Sequence, residues 1–383
     1  MKIELKGVNF INKGAELMLL SVLDRYSETK EINFTVSHLT GMYHKRAKLG
    51  LYQKFWINKI NNQGNILINN LIPKKFEQVF GITPINTIDA VFDVSGFAYS
   101  DQWGTAPIKE MAQYYKNMKK LGKTIILLPQ AFGPFELKNN KKYMKEIIDN
   151  VDLIFARDEV SYKYLRQISE SDKIQMAPDF TNLIRPKLPN DVDKFKGKTC
   201  IIPNYRMIDK GDDPNKYIDS LCLIVKNLQK NNAPFFFLIH DTGKDLELAQ
   251  QVMRKTGSKF PIYTEDDALV IKGIISCCNL VISSRFHGLV SSLSQAIPSI
   301  AIGWSHKYEM LFNDYNCNEM IYSTDEDLSE LELKINDSLN NSFAKSINVK
   351  LEEASIVQKE KSLKMWNQVE DLLNIKTVKE MVK

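Results

Sequence analysis

At 383 residues the chain exceeds what one hydrophobic core ordinarily fills, so about two domains are expected. Hydrophobic residues at 44% and charged residues at 25% exclude a largely disordered chain. The 51 Lys and Arg against 46 Asp and Glu leave a formal charge of +5, spread out rather than gathered in one tract, which argues against a nucleic-acid partner and suits a small anion or an acidic membrane surface.

Five cysteines (Cys200, Cys222, Cys277, Cys278 and Cys317) are odd in number and lack C-x-x-C spacing, so reduced, mostly buried thiols are expected rather than a disulfide framework or a zinc site. Residues 1–20 carry Glu4 and Glu16 and no continuous apolar core, and no uncharged apolar run reaches the roughly 18 residues of a membrane span. A cytoplasmic protein is the expectation.

In chain order, 90–94 reads as a short strand that ends at Ser95-Gly96, with Asp93 and Asp101 flanking the loop. Residues 124–128 form a second β-branched run, closed by Pro129 and the Gly133-Pro134 turn signal; 137–150 is a charged helical pattern and 152–156 another apolar run. This alternation is the rhythm of βαβ units on a parallel sheet. The polar, twice-proline stretch 186–191 reads as an interdomain linker. Beyond it come strands at 199–203, Phe235–Ile239, 261–263, Leu280–Ser283 and Ser299–Ile302, with helices at Lys244–Thr256, Ala268–Ser276 and 288–295 between them. Both halves read as doubly wound. A closing helical pattern over 351–375 sets Ile356, Leu363, Trp366, Val369 and Leu373 on one face, which suits core packing back onto the first domain.

The chemistry concentrates where the strand Leu280–Ser283 runs into Ser284-Arg285-Phe286-His287-Gly288 and where the next strand is followed by Gly303-Trp304 and Lys307. Open α/β sheets bind ligands outside the carboxyl ends of their strands, so Arg285, His287 and Lys307 are candidates for one anion site, aided by the helix that Gly288 opens. His306 is left as a surface or packing residue, and His240-Asp241, at another strand end, as a satisfied polar pair or an acceptor-facing one. Taken alone, Arg157 would pair locally with Asp158 or Glu159. Asp179 and Ser161 suit structural capping roles; Tyr99 and Trp103 could stack on a sugar.

Ser284-Arg285-Phe286-His287-Gly288-Leu289, with Ala296-Ile297-Pro298, Ile302-Gly303 and Lys307, resembles the signature of the polysaccharide pyruvyl transferases. Ala156-Arg157-Asp158 with Ser161, Pro178-Asp179, Asn12-Lys13-Gly14-Ala15-Glu16 and Gln130-Ala131-Phe132-Gly133-Pro134 resemble further elements of that family, in order over nearly the whole chain. Ser95-Gly96-Phe97 departs from the consecutive glycines usual there, which bears on the acceptor-side loop.

The resemblance implies an α/β fold of two Rossmann-like domains, glycosyltransferase-B-like, with a C-terminal helix crossing back to the first domain. It places an acceptor-side domain at 1–185, a phosphoenolpyruvate-side domain at 186–345 and the returning helix at 346–383. It also implies transfer of the enolpyruvyl skeleton of phosphoenolpyruvate to a sugar, forming a pyruvate ketal on a cell-surface polysaccharide or its lipid-linked precursor, with no metal and no cofactor. Arg157, His287 and Lys307 would contact the donor with Arg285 assisting; His287 and Arg285 would be catalytic, and Asp93 and Asp101 would face the acceptor. The alternative activity is a nucleotide-sugar glycosyltransferase of the same architecture. Association with the inner membrane face stays open.

Overall fold

A computed structural model describes residues 1–29, 31–57, 60, 62–73, 75–209, 213–240, 243–303 and 306–375; Asp241 and Trp304 lie outside the described residues. The chain divides into two compact units, one made of Met1–Ile11, Met18–Phe180 and Lys361–Lys383, the other of Asn12–Leu17 and Thr181–Glu360. These limits differ from the 185/186 and 345/346 divisions read from the sequence. The stretch 186–191 is not a free linker: Lys187 N donates to Leu269 O at 3.1 Å, and a Cβ on Gly273 would lie 2.0 Å from the Lys187 carbonyl oxygen, so this segment lies flat on helix Ala268–Ser276 within unit 2.

Unit 1 contains, among the described residues, strands β1 (Lys2–Lys6), β2 (Asn33–Val36), β3 (Tyr52–Lys54), β4 (Ile82–Thr83), β5 (Ala90–Asp93), β6 (Thr124–Gln130), β7 (Leu153–Ala156) and β8 (Ile174–Met176). They form one parallel sheet in the order β4-β3-β2-β1-β5-β6-β7-β8, which reverses direction between β1 and β5. Ile125, Ile126, Leu127 and Leu128 are all fully buried, as a strand covered on both faces requires.

The second apolar run does not stop at Pro129. The strand continues to Gln130, because the pairing of β6 with β7 shifts register between Leu127 and Gln130 and the proline falls inside that irregularity, where its missing N–H breaks no ladder bond.

Unit 2 contains β9 (Thr199–Ile202), β10 (Phe235–Ile239), β11 (Ile262–Thr264), β12 (Leu280–Ser283), β13 (Ser299–Ile302) and β14 (Ile321–Tyr322), parallel and in the order β11-β10-β9-β12-β13-β14. This is the doubly wound arrangement with its reversal between β9 and β12, the place where such sheets open a ligand crevice. Helices Pro214–Lys230 and Lys244–Thr256 bury Tyr217, Leu221, Val225 and Leu248 in its core.

The C-terminal helix, Asn341–Leu373, starts ten residues earlier than the pattern suggested. Its buried side is Leu351, Ala354, Met365, Trp366, Val369 and Leu373, while Ile356 is 60% exposed: the apolar stripe runs through position 355 rather than 356, about one hundred degrees around the helix. Within unit 1, Trp366 meets Tyr26 and Phe180 edge-on at 5.8 and 5.5 Å between ring centroids, and Glu370 accepts from Arg25 Nε at 2.7 Å. The five cysteines are thiols, four of them buried.

Candidate functional site

The turn after β12 is fixed from several sides. Ser284 N donates to Ile202 O at 3.2 Å, the Ser284 carbonyl accepts from Asn204 Nδ2 at 2.9 Å and from Tyr308 OH at 2.7 Å, and Ser284 Oγ lies 2.8 Å from Tyr217 OH. Burial raises both phenols, Tyr217 to about 12, so they remain protonated donors.

Helix Phe286–Leu293 begins two residues before Gly288, where the sequence reading placed its start. Arg285 is therefore the N-cap, in extended conformation, and His287 sits in the first turn beside the positive end of the helix dipole. Gly288 serves close packing: a Cβ there would come within 3.0 Å of Ser283 Oγ and 3.1 Å of Ile202 Cδ1.

Two partners of this turn come from distant segments of unit 2. Asp245, fully buried in the first turn of helix Lys244–Thr256, accepts from Arg285 Nη2 and, at 2.8 Å, from Tyr205 N, so the guanidinium is held in place. Gly14 presses against the His287 imidazole: a Cβ on Gly14 would lie 2.2 Å from Nδ1. Asn12 Oδ1 accepts from Gly14 N at 2.9 Å and starts helix Lys13–Arg25, while Lys13 Nζ, buried, donates to Glu16 Oε2 at 2.9 Å and to Asp266 O at 2.7 Å.

His240, at the end of β10, is not the satisfied histidine expected. Its Nε2 is buried with no hydrogen-bond partner among the described residues. Burial, reinforced by Arg285, His287 and Lys13, pushes its imidazole down to about 3 and keeps it neutral. Lys307, half-buried, follows β13 with its Nζ 5.0 Å from the Tyr308 ring centroid, on the same short segment that anchors the Ser284 carbonyl. His306 is half-buried beside it.

The remaining candidates belong to unit 1. Arg157 does not pair with Asp158 or Glu159; its Nη1 donates to Asp179 Oδ2 at 3.3 Å, with both side chains buried. Asp158 is instead the N-cap of helix Glu159–Arg166, accepting from Ser161 N at 2.7 Å, and Ser161 Oγ accepts from Phe132 N at 3.0 Å. Asp179 is thus the ion-pair partner of Arg157.

The two aspartates expected to face an acceptor are engaged by the fold itself. Asp93, 1% exposed, accepts from Ser95 N at 2.9 Å, from Tyr99 OH at 2.5 Å, and from Ser95 Oγ and Tyr115 OH, which leaves it a structural carboxylate. Asp101 accepts from Glu136 N at 2.6 Å, Leu137 N at 3.2 Å and Asn140 Nδ2 at 2.8 Å, securing the start of helix Lys138–Asn150. Tyr99, 1% exposed and stacked on Phe132, has no face for a sugar, whereas Trp103 is 46% exposed.

A cavity of about 410 Å³ lies elsewhere in unit 2, among Lys187, Asp191, Lys194, Phe195, Tyr263 and Ile274, and includes none of these groups. Among the described residues no cluster of three or more His, Cys, Asp or Glu forms a metal-ligand set, and no helix is long and apolar enough to cross a membrane.

Two doubly wound parallel sheets, one carrying cationic side chains at its switch point, define a protein with the glycosyltransferase-B type of fold. A glycosyltransferase of Rickettsia africae is similar at TM-score 0.62 and 16% identity, covering 97% of this chain and 98% of that one. The Anabaena HepE structure with UDP and glucose is similar at TM-score 0.62 and 12% identity, over 97% and 99% of the two chains. A Listeria monocytogenes protein assigned as a UDP-N-acetylglucosamine 2-epimerase is similar at TM-score 0.63 and 10% identity, over 100% and 99%. No curated protein matches the chain. The chain belongs to the polysaccharide pyruvyl transferase family, whose model matches residues 12–306.

Proposed function

We propose that this chain takes phosphoenolpyruvate as donor and forms a pyruvate ketal on a sugar of a cell-surface polysaccharide or its lipid-linked precursor. The observation that carries the reading is the convergence in unit 2 of Arg285, held by Asp245, and His287, held against Gly14 in the first turn of a helix, at the reversal point of the sheet. Phosphoenolpyruvate carries a phosphate and a carboxylate close together, and several charge-assisted hydrogen bonds are needed to satisfy it.

Protonation of the donor's methylene carbon makes the adjacent carbon electrophilic. One sugar hydroxyl then adds, inorganic phosphate leaves, and a second hydroxyl closes the ketal, so the acceptor gains one pyruvate less one water. His287 is assigned as the proton donor, since an imidazole nitrogen can hold and deliver a proton as a general acid. Arg285 and Lys307 are assigned to the carboxylate and the departing phosphate. Arg157 enters on the family motif, and its replacement by Gln is expected to raise KM for the donor. The acceptor is a hexose with two suitably placed hydroxyls, presented on a lipid carrier at the cytoplasmic face of the membrane.

The fold is shared with proteins of nucleotide-sugar chemistry, and the same cations would suit a diphosphate. Isotopic label supplied in phosphoenolpyruvate or in a sugar nucleotide separates the two activities: label from phosphoenolpyruvate entering the acceptor supports the proposal, and label arriving only from the nucleotide sugar refutes it.

A further inference from the structure

The carboxyl end of β10 holds a polar group that the fold leaves unused. His240 is 7% exposed and its Nε2 meets no hydrogen-bond partner among the described residues. A buried polar atom in that condition costs stability unless something outside the protein's own hydrogen bonds completes it.

Its surroundings indicate what would complete it. β10 lies beside β9, whose other neighbour is β12, so His240 leaves the sheet at its carboxyl edge one strand away from the reversal point that Arg285 and His287 follow. Asp245, five residues further on, binds Arg285 Nη2, which draws the start of the helix after β10 onto the turn after β12. Arg285, His287 and Lys13 all act electrostatically on the His240 ring. A neutral imidazole beside the Arg285 and Lys13 cations can offer a directional hydrogen bond to an incoming anion without adding to the repulsion between them.

We propose that His240 is a binding residue for the anionic donor, its Nε2 adding a hydrogen bond to the oxyanion that Arg285 contacts. The inference rests on the donor-site reading of unit 2 and adds to it a third strand end and a residue of different character. A buried polar atom whose partner is supplied by a ligand trades stability for function.

The test uses the whole protein, with phosphoenolpyruvate and inorganic phosphate as titrants. His240→Leu is expected to weaken phosphoenolpyruvate binding at least tenfold, the scale of one hydrogen bond to a charged group, while the melting temperature without ligand stays level or rises and the rise at a fixed ligand concentration becomes smaller than in the wild type. His240→Gln, whose amide can reach the Nε2 position, is expected to recover most of the affinity. In the wild type, with histidine side chains labelled with nitrogen-15, the His240 resonances should move on saturation with phosphoenolpyruvate, a readout that requires no variant to fold. Unmoved His240 resonances, or a Leu variant that binds as the wild type does, overturn the inference. A wild type that binds neither phosphoenolpyruvate nor phosphate overturns the donor-site reading instead.

Discussion

Replacing Gly14 by Ala tests whether the His287 imidazole, the proposed proton donor, is positioned by a segment far away in the chain. Gly14 is the second residue of helix Lys13–Arg25, and no left-handed backbone requires glycine there. By helix propensity alone, alanine would stabilise that turn by up to about 1 kcal/mol. The added Cβ, however, falls 2.2 Å from His287 Nδ1, 2.7 Å from Cγ and 2.9 Å from Cε1. Ordinary contact begins near 3.5 Å, so the ring must retreat by about 1.3 Å. A displacement of roughly 1 Å in a reacting group lowers turnover about a hundredfold. Gly14→Ala should therefore keep its melting temperature within a few degrees and lose about two orders of magnitude in kcat/KM, measured as acceptor-dependent phosphate release. Full activity in a folded Gly14→Ala protein would show that His287 does not depend on this contact.

Three further outcomes follow from the same structure. His287→Gln should retain phosphoenolpyruvate affinity while kcat falls by roughly 10²–10⁴, the range for a lost general acid; lost affinity with kcat preserved makes His287 a ligand only. His240 is held at about 3 against 6.5 for the free side chain, so the unfolded chain takes up its proton first as pH falls. Stability from this group is complete above pH 6.5 and declines toward pH 3, by roughly 2 to 3 kcal/mol at pH 4.5; urea unfolding of wild type against His240→Leu should show that difference at pH 4.5 and not at pH 7.5. In unit 1, Glu4 accepts from Lys54 Nζ and Tyr114 OH in full burial, so Glu4→Gln strands an ammonium and should cost about 3–5 kcal/mol at pH 7. Burial already lowers Lys54 to about 8, so the loss should shrink by pH 9 as the amine gives up its proton; a loss independent of pH would argue against a stranded charge.

Much of the fold was legible because its central strands are apolar runs bounded by turn signals: Phe235–Ile239, Leu280–Ser283 and Ser299–Ile302 have the limits read from the sequence. The two-residue edge strands Ile82–Thr83 and Ile321–Tyr322 carry no periodicity and were not. At the site, Arg285 and His287 were visible from their place after a strand. Their supports were harder to see. Asp245 had a usable signal, an acid in the first helical turn after the strand that ends just before His240. Gly14 against His287 is a contact across more than two hundred residues, with no local trace. Asp93 looked available because Tyr99 and Tyr115, which consume its oxygens, come from a loop and a helix whose approach depends on the tertiary fold.

Incubation of the purified protein with phosphoenolpyruvate labelled in its three carbons and a panel of lipid-linked sugars, read by mass spectrometry, decides whether the cationic switch point of unit 2 serves ketal formation. The expected product carries all three labelled carbons as one pyruvate less a water, with one inorganic phosphate released per transfer, and Arg285→Gln and His287→Gln lower its rate of formation at least about a hundredfold. Labelled phosphoenolpyruvate that neither binds nor enters any acceptor, or transfer undiminished in both variants, contradicts that assignment.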